Sequence, residues 1–102
     1  MELTALTDEM RKRAGQNVKL GYKVKFVLAD GEGVIFWDGT EHPPAIDNED
    51  KADATTTIRM SAENLEKLIA GGLDPTLAYM TGKLKVEGSM GVALKLTSMF
   101  AD

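Results

Sequence analysis

The sequence predicts an α+β fold in which a mostly antiparallel sheet is covered by helices on one side. Alternating apolar and charged residues between Lys19 and Leu28 are typical of a strand with one buried face. Two helix-start signals, Ser61 and the pair Asp74-Pro75, follow the strand-rich half of the chain. The predicted order is one helix, three or four strands, two helices, one strand and one helix. A sheet with one helical layer is the most economical packing of that order.

Length, charge and composition exclude several classes of function. The 102 residues are the length of one domain, so we expect residues 1–102 to form a single unit. The formal net charge of -4 argues against a nucleic-acid partner, because phosphate binding needs a surplus of cations. The absence of cysteine excludes disulfides and thiolate metal sites. With no signal peptide and no apolar run of ~18 residues, we expect a cytoplasmic protein.

The first predicted element is an amphipathic helix over residues 2–16. Leu3, Leu6, Met10 and Ala14 recur at the three- and four-residue spacings that place side chains on one face of a helix. We expect this face to pack against the sheet.

A β-hairpin is predicted next. In residues 19–28 the even-numbered positions are apolar and three odd-numbered ones are lysine, so the even side is expected to face the core. A turn at residues 30–33 leads into a second strand, Val34–Trp37. Both sides of this strand are apolar, so the pattern leaves open which side faces inward.

Residues 41–53 are the least regular part of the chain. Pro43-Pro44 excludes a central position in a sheet, and the acidic residues that follow indicate a loop. Ala45-Ile46 is a candidate for a short edge strand. Residues 54–60 then return to strand character, because β-branched threonine and isoleucine favour it.

The C-terminal half is predicted to hold three helices and one strand. A helix follows the cap residue Ser61, and a second follows Asp74-Pro75, where proline occupies the first helical position. Residues 83–87 alternate again and form the last strand, before a final helix over residues 90–100.

No arrangement of catalytic or metal-binding residues is apparent. His42 is the only histidine, and its position beside two prolines is typical of a solvated loop side chain. The acidic residues after Asp47 do not match a calcium-binding loop, since Lys51 and Ile58 occupy positions that need oxygen ligands. The glycine-rich signatures of dinucleotide and phosphate loops are also missing. We therefore expect no catalytic residue, no metal, no cofactor and no enzymatic activity.

The final helix is apolar around most of its circumference. Two adjoining stripes share this character: Met90, Ala93, Leu94 and Thr97 on the first, and Val92, Leu96, Met99 and Phe100 on the second. The chain also contains six methionines, a residue that adapts to variable apolar partners. A helix packed in a solid core and a helix that covers a ligand cavity both account for this pattern.

Two segments carry a resemblance to a known family. Residues 61–75 end in an Asp-Pro pair, and residues 79–96 contain Met80-Thr81-Gly82-Lys83-Leu84-Lys85-Val86-Glu87-Gly88 before the amphipathic helix. Together they resemble the C-terminal half of the sterol carrier protein type 2 domain. The irregular residues 41–53 depart from that family's usual pattern. The last residues, Phe100-Ala101-Asp102, are not a peroxisomal address, which favours a free-standing carrier of bacterial type.

The resemblance implies a five-stranded sheet covered by helices, with an apolar tunnel between them and the C-terminal helix as its lid. Ligand contact is then expected from apolar side chains of these elements: Phe26, Phe36, Met60, Leu65, Leu68, Ile69, Leu77, Met80, Leu84, Met90, Ala93, Leu94, Thr97, Met99 and Phe100.

The resemblance also implies a function, which is the non-catalytic binding and transfer or presentation of an apolar lipid (a sterol, fatty acid, acyl-CoA or isoprenoid). The alternative is an accessory protein-interaction module of a lipid or isoprenoid biosynthetic assembly, with a filled pocket. Six basic residues and no acidic ones lie between Arg11 and Lys25. This segment offers a surface for transient contact with an anionic membrane or a partner enzyme.

Overall fold

A computed structural model describes residues 2–14, 21–31, 33–41 and 45–100. For residues 13, 14, 30 and 98–100 it describes the backbone only. The described elements follow in this order: α1 (Leu3–Ala14), β1 (Lys23–Leu28), a short turn of helix (Ala29–Gly31), β2 (Gly33–Asp38), β3 (Ala45–Asp47), β4 (Thr56–Met60), α2 (Ala62–Ile69), α3 (Pro75–Met80), β5 (Lys85–Gly88) and α4 (Met90–Phe100). The predictions for the start of the first strand at residues 19–20, for His42 and for Pro43-Pro44 lie outside the described residues.

The five strands form one sheet in the order β3-β2-β1-β4-β5. Three of the four neighbouring pairs are antiparallel, and β1 and β4 are parallel. This confirms the predicted α+β fold with a mostly antiparallel, five-stranded sheet. The parallel pair places the C-terminal ends of β1 and β4 side by side, and β2 begins at the same end of the sheet.

The alternation in β1 determines which face of the sheet is buried. Val24, Phe26 and Leu28 are buried and the residues between them are half-buried, as the pattern predicted. Trp37 and Ile35 lie opposite Val24 and Phe26 in β2, so they share the same inner face. The apolar faces of α1, α2 and α4 pack against this face, and together they form the core.

A connection over residues 48–55 crosses the other face of the sheet, because β3 lies at one edge and β4 lies beyond β1. It carries the acidic residues that the sequence assigned to a loop. Lys23 Nζ lies 2.8 Å from Asp53 Oδ2, and Lys25 Nζ lies 2.8 Å from Asp50 Oδ1. The lysines on the outer side of β1 therefore hold this connection against the sheet.

The same connection explains why β2 is apolar on both sides. Phe36 lies on the outer face and is 1% exposed, and Lys51 Nζ lies 4.9 Å from the centre of its ring. A cation over an aromatic face is attracted by the ring's electrons. The crossing connection thus buries the side of β2 that the sequence pattern left unassigned.

Both predicted helix caps are present. The Ser61 hydroxyl accepts a hydrogen bond from the Asn64 N–H at 3.0 Å, and the Asp74 carboxylate accepts one from the Leu77 N–H at 3.1 Å. Each satisfies a backbone donor that the first turn of a helix leaves free. Helix α4 has the predicted bounds, and the Ala45-Ile46 candidate belongs to the edge strand β3.

Candidate functional site

A cleft of about 810 Å³ opens at the end of the sheet where β1 and β4 finish and β2 begins. Its wall is made by the last residues of β1 and β4, the hairpin turn up to Val34, the first turn of α2 and the segment 82–85. Three separate stretches of the chain therefore meet around one space.

The apolar part of this cleft comes from two register pairs of the sheet. Val27 and Val34 lie opposite each other in the antiparallel pair β1–β2 and are half-buried. Leu28 and Met60 lie opposite each other in the parallel pair β1–β4 and are 3% and 4% exposed. Both also belong to the core. The floor of the cleft is therefore the outer boundary of the core.

Three cationic side chains line the same space, namely Arg59, Lys83 and Lys85. The Arg59 guanidinium lies 2.9 Å from the Glu87 carboxylate on the neighbouring strand. Among the described residues, Lys83 and Lys85 have no carboxylate oxygen within 4.0 Å, and both side chains are exposed. The cleft thus combines apolar walls with two uncompensated positive charges.

The N-terminus of α2 adds to this positive character. Ser61 and Asn64 line the cleft, and the first turn of any helix carries a partial positive charge from its free N–H groups. Ser61 caps only one of these groups, the N–H of Asn64. A carboxylate or phosphate placed between this turn and Lys83 would be attracted from both sides.

Backbone hydrogen bonds hold the segment 82–85 in place. The N–H groups of Lys83 and Leu84 both donate to the Ala78 carbonyl oxygen, at 2.9 and 3.2 Å. Gly82 adopts a φ of +79°, which glycine reaches without steric cost and which turns the chain from α3 back toward the sheet. The lysine side of the cleft is therefore attached to α3.

The residues expected to contact ligand occupy three different environments. Met60 lines the cleft. Eight are buried, seven of them on the core side and Phe36 on the outer face of the sheet: Phe26, Phe36, Leu65, Leu68, Ile69, Leu84, Ala93 and Thr97. The Thr97 hydroxyl is satisfied within its own helix, because it donates to the Ala93 carbonyl oxygen at 2.9 Å.

The remaining expected residues lie on α3 and α4. Met90 and Leu94 are half-buried on α4. Leu77 and Met80 are 57% and 75% exposed on α3, and neither lines the cleft. The side chains of Met99 and Phe100 lie outside the described residues. Contact between ligand and the whole expected set stays a prediction.

The sequence patterns do not distinguish the valines and the cationic side chains of the cleft from other surface residues. Val27 stands at an odd position of its strand, so the alternation assigned it to the solvent side. A signal was present for Lys83 and Lys85, since both belong to the Gly-Lys-Leu-Lys stretch that carries the family resemblance.

Within the described ranges, no three His, Cys, Asp or Glu side chains converge on a point that could hold a metal ion. None of the helices in the same part of the chain has the length and apolar character needed to cross a membrane.

Comparisons with known proteins agree with one another. The sequence matches the model of a family described as the SCP-2 sterol transfer family over residues 3–101. It is 38% identical to Hydroxysteroid dehydrogenase-like protein 2 of Danio rerio over 79 residues, which are 76% of this chain and 19% of that protein. It is 33% identical to Sterol carrier protein 2 of Gallus gallus over 87 residues, which are 79% of this chain and 16% of that protein. The chain thus spans less than a fifth of these relatives.

Solved structures share the fold. Sterol Carrier Protein-2 of Aedes aegypti, in complex with palmitate, superposes with a TM-score of 0.76 at 20% identity, covering 99% of this chain and 97% of that one. A protein titled UbiJ-SCP2 Ubiquinone synthesis protein superposes with a TM-score of 0.75 at 17% identity, covering 95% and 90%. At these identities the likeness establishes the fold alone.

Proposed function

The chain belongs to the SCP-2 sterol transfer family, and from that premise we propose that it binds an amphipathic lipid and transfers or presents it without chemical change. The cleft at the end of the sheet is the binding site in this proposal. The ligand class is a long apolar chain or ring system with an anionic head group, such as a fatty acid or an acyl thioester with a phosphorylated carrier.

One observation carries the proposal: apolar walls and two cations that have no carboxylate partner among the described residues surround the same space. A volume of about 810 Å³ lies in the range of ~300–1,000 Å³ that is typical of small-molecule sites. An apolar cleft without charges would favour a neutral lipid, and a cationic surface without apolar walls would favour a small anion. The combination favours a molecule that has both parts.

The arrangement also gives the ligand a direction. The head group would lie between Lys83, Lys85 and the first turn of α2, which all line the cleft. The apolar part would lie along Val27 and Val34 and reach the floor at Met60. Such a ligand leaves its polar end near solvent and removes its apolar end from water.

A tunnel and a lid extend this proposal to longer ligands. Beyond the floor, the space between sheet and helices holds buried side chains such as Phe26 and Leu68. A chain that passes Met60 must therefore displace core contacts. Helix α4 is the element whose movement would make room, because it packs on β4 while Met90 and Leu94 stay partly in solvent.

Direct titration with palmitate tests the proposal. We expect wild type to bind palmitate in a calorimeter or by displacement of a fluorescent fatty acid. Val34→Asp places a charge in the apolar wall, so its affinity should fall about tenfold or more. Thr57→Asp is the matched control, since Thr57 is also a half-buried strand residue but does not line the cleft. Equal affinity of both variants would place the ligand elsewhere.

The second candidate is an accessory module that binds a protein of a biosynthetic assembly. The dense packing beyond the cleft floor favours it, because an interior filled by its own side chains needs no ligand. The fold is also shared with a protein whose title places it in ubiquinone synthesis. Native mass spectrometry of protein purified from cells separates the two: co-purified lipid supports the carrier, and a stoichiometric protein partner without lipid supports the accessory module.

A further inference from the structure

Helix α3 exposes apolar side chains that a folded domain would ordinarily bury. Leu77 is 57% exposed and Met80 is 75% exposed, and these two residues are termed the α3 patch. At about 100° per residue, Leu77 and Met80 lie opposite the buried Pro75 and Ala78. The helix therefore packs through its small residues and presents its large ones to solvent.

Backbone hydrogen bonds connect the helix that carries the α3 patch to the mouth of the cleft. The Thr81 N–H donates to the Leu77 carbonyl oxygen at 2.9 Å, and the Lys83 N–H donates to the Ala78 carbonyl oxygen at 2.9 Å. Gly82 and Lys83, which directly follow the helix and its cap, line the cleft. A surface that held the patch would thus lie next to the cleft opening.

The charge beside the patch favours an anionic surface. Lys83 and Lys85 are exposed and, among the described residues, lack a carboxylate partner. The basic residues near the start of β1 differ, because Lys23 and Lys25 are each paired with an aspartate at 2.8 Å. Two cations that lack a carboxylate partner among the described residues therefore follow the patch within five residues along the chain.

The size of the patch favours a lipid surface over a protein. A helix of six residues is about 9 Å long and about 10 Å wide. The area of its exposed face is therefore far smaller than the ~800 Å² that each partner contributes to a stable protein interface. A lipid surface needs no such area, since a few aliphatic side chains can enter the head-group region while lysines contact anionic head groups.

We propose that the α3 patch, together with Lys83 and Lys85, docks on an anionic membrane and so places the mouth of the cleft at the level of the lipid head groups. The use of this docking for lipid exchange rests on the proposed function. The docking itself does not, and it is measured separately.

Co-sedimentation with vesicles tests the proposal. We expect wild type to bind vesicles of phosphatidylcholine with one third phosphatidylglycerol, and to bind phosphatidylcholine vesicles about fivefold or more weakly. The double variant Leu77→Ser/Met80→Ser should bind the anionic vesicles about tenfold more weakly, because it removes the inserted side chains. Tyr22→Ser is the matched control, since Tyr22 is 44% exposed and precedes β1 at the opposite end from Leu28.

Palmitate titration without vesicles separates this proposal from the proposed function. The family resemblance counts Leu77 and Met80 among its expected ligand contacts, but the binding site proposed here is the cleft, which neither side chain lines. On the docking proposal the double variant should therefore keep wild-type affinity for palmitate. Unchanged vesicle binding in the double variant would overturn the docking proposal. So would a failure of the wild-type protein to bind either type of vesicle. Loss of palmitate binding together with vesicle binding would also overturn it, by assigning the patch to the ligand site.

Discussion

Leu28 and Met60 lie directly opposite each other in the parallel pair β1–β4, and each belongs both to the core and to the floor of the cleft. A ligand that reaches this floor therefore replaces water on the surface of the core itself. Apolar area is removed from water on both molecules, so occupancy of the cleft and stability of the fold are linked.

Ligand binding should therefore raise the melting temperature. A concentration one hundred times the Kd adds ~2.7 kcal/mol to the free energy of unfolding, which for a domain of this length is a shift of ~10 °C or more. Hexadecanoate should produce this shift and butanoate at the same concentration should not, because only the long chain reaches Met60. Thermal unfolding with an acid series of increasing chain length measures it. A shift that is the same for every chain length would contradict a role for the apolar walls.

The cationic side of the cleft should select anionic head groups. Lys83→Glu reverses an exposed charge in the cleft wall, so palmitate affinity should fall about fivefold at low salt and less at high salt. Affinity for hexadecanol, which has no charge, should change little. Lys67→Glu is the matched control, because Lys67 lies on α2 outside the cleft. An equal loss for the acid and the alcohol would argue against a charge interaction.

The sequence was sufficient for local structure where one short-range pattern dominates. The alternation of Val24, Phe26 and Leu28 predicted the buried face of β1, and Ser61 and Asp74 predicted where α2 and α3 begin. These signals depend on neighbours within a few residues, which is the range over which caps and alternation act.

The sequence was insufficient where distant segments meet. Phe36 is buried on the outer face, where Lys51 of the connection across the sheet lies over its ring. The cleft brings Val34 together with Arg59 and Lys83, which are far apart in the chain and have no shared pattern. Apolar character alone therefore indicated residues of the core and of α3 as ligand contacts. Most of the cleft wall consists instead of strand ends, glycines and cations.

The proposed lid gives a prediction on α4. Leu94→Asp and Met90→Asp each place a carboxylate on a half-buried position, where the charge can still reach solvent. Uptake of palmitate or sterol should fall about tenfold if this helix covers the ligand, because a charge would face an apolar chain. Lys95→Ser on the same helix is the control, since Lys95 is exposed. Unchanged uptake by both aspartate variants, with intact circular dichroism, would remove α4 from the binding site.

Gly88 at the end of β5 should not accept a side chain. Its φ is +101°, and a Cβ at this position would lie 2.6 Å from the Thr55 carbonyl oxygen. Gly88→Ala should therefore cost more than the ~1–2 kcal/mol of a left-handed backbone alone, and chemical unfolding measures the loss. Gly91→Ala in α4 is the control: its nearest neighbour would be 3.9 Å away, and alanine favours a helix by ~1 kcal/mol. Equal stability of the two variants would mean that β4 and β5 adjust at little cost.

The ion pair between Lys23 and Asp53 should make stability fall in acid. The hydrogen bond from the Lys23 ammonium, together with its charge, holds the pKa of Asp53 below its usual value, and the same contact raises the pKa of Lys23. A carboxyl pKa that is lower in the folded state stabilises the fold at pH values above the unfolded-state pKa of ~4. This contribution is lost as the pH falls through the folded-state pKa. A lysine pKa that is higher in the folded state stabilises the fold at pH values below the unfolded-state pKa of ~10.4. This contribution is lost as the pH rises through the folded-state pKa.

Asp53→Asn should therefore melt slightly below wild type at neutral pH and together with it once the pH is well below ~4, where the wild-type carboxylate is protonated as well. Lys23→Met removes the other partner and should give the same convergence in acid. Because Lys23 and Asp53 are both substantially exposed, the neutral-pH difference should be a few degrees at most, and smaller still in high salt. A gap of constant size from neutral pH into acid would mean that the variants act through packing of the crossing connection and not through the charge pair.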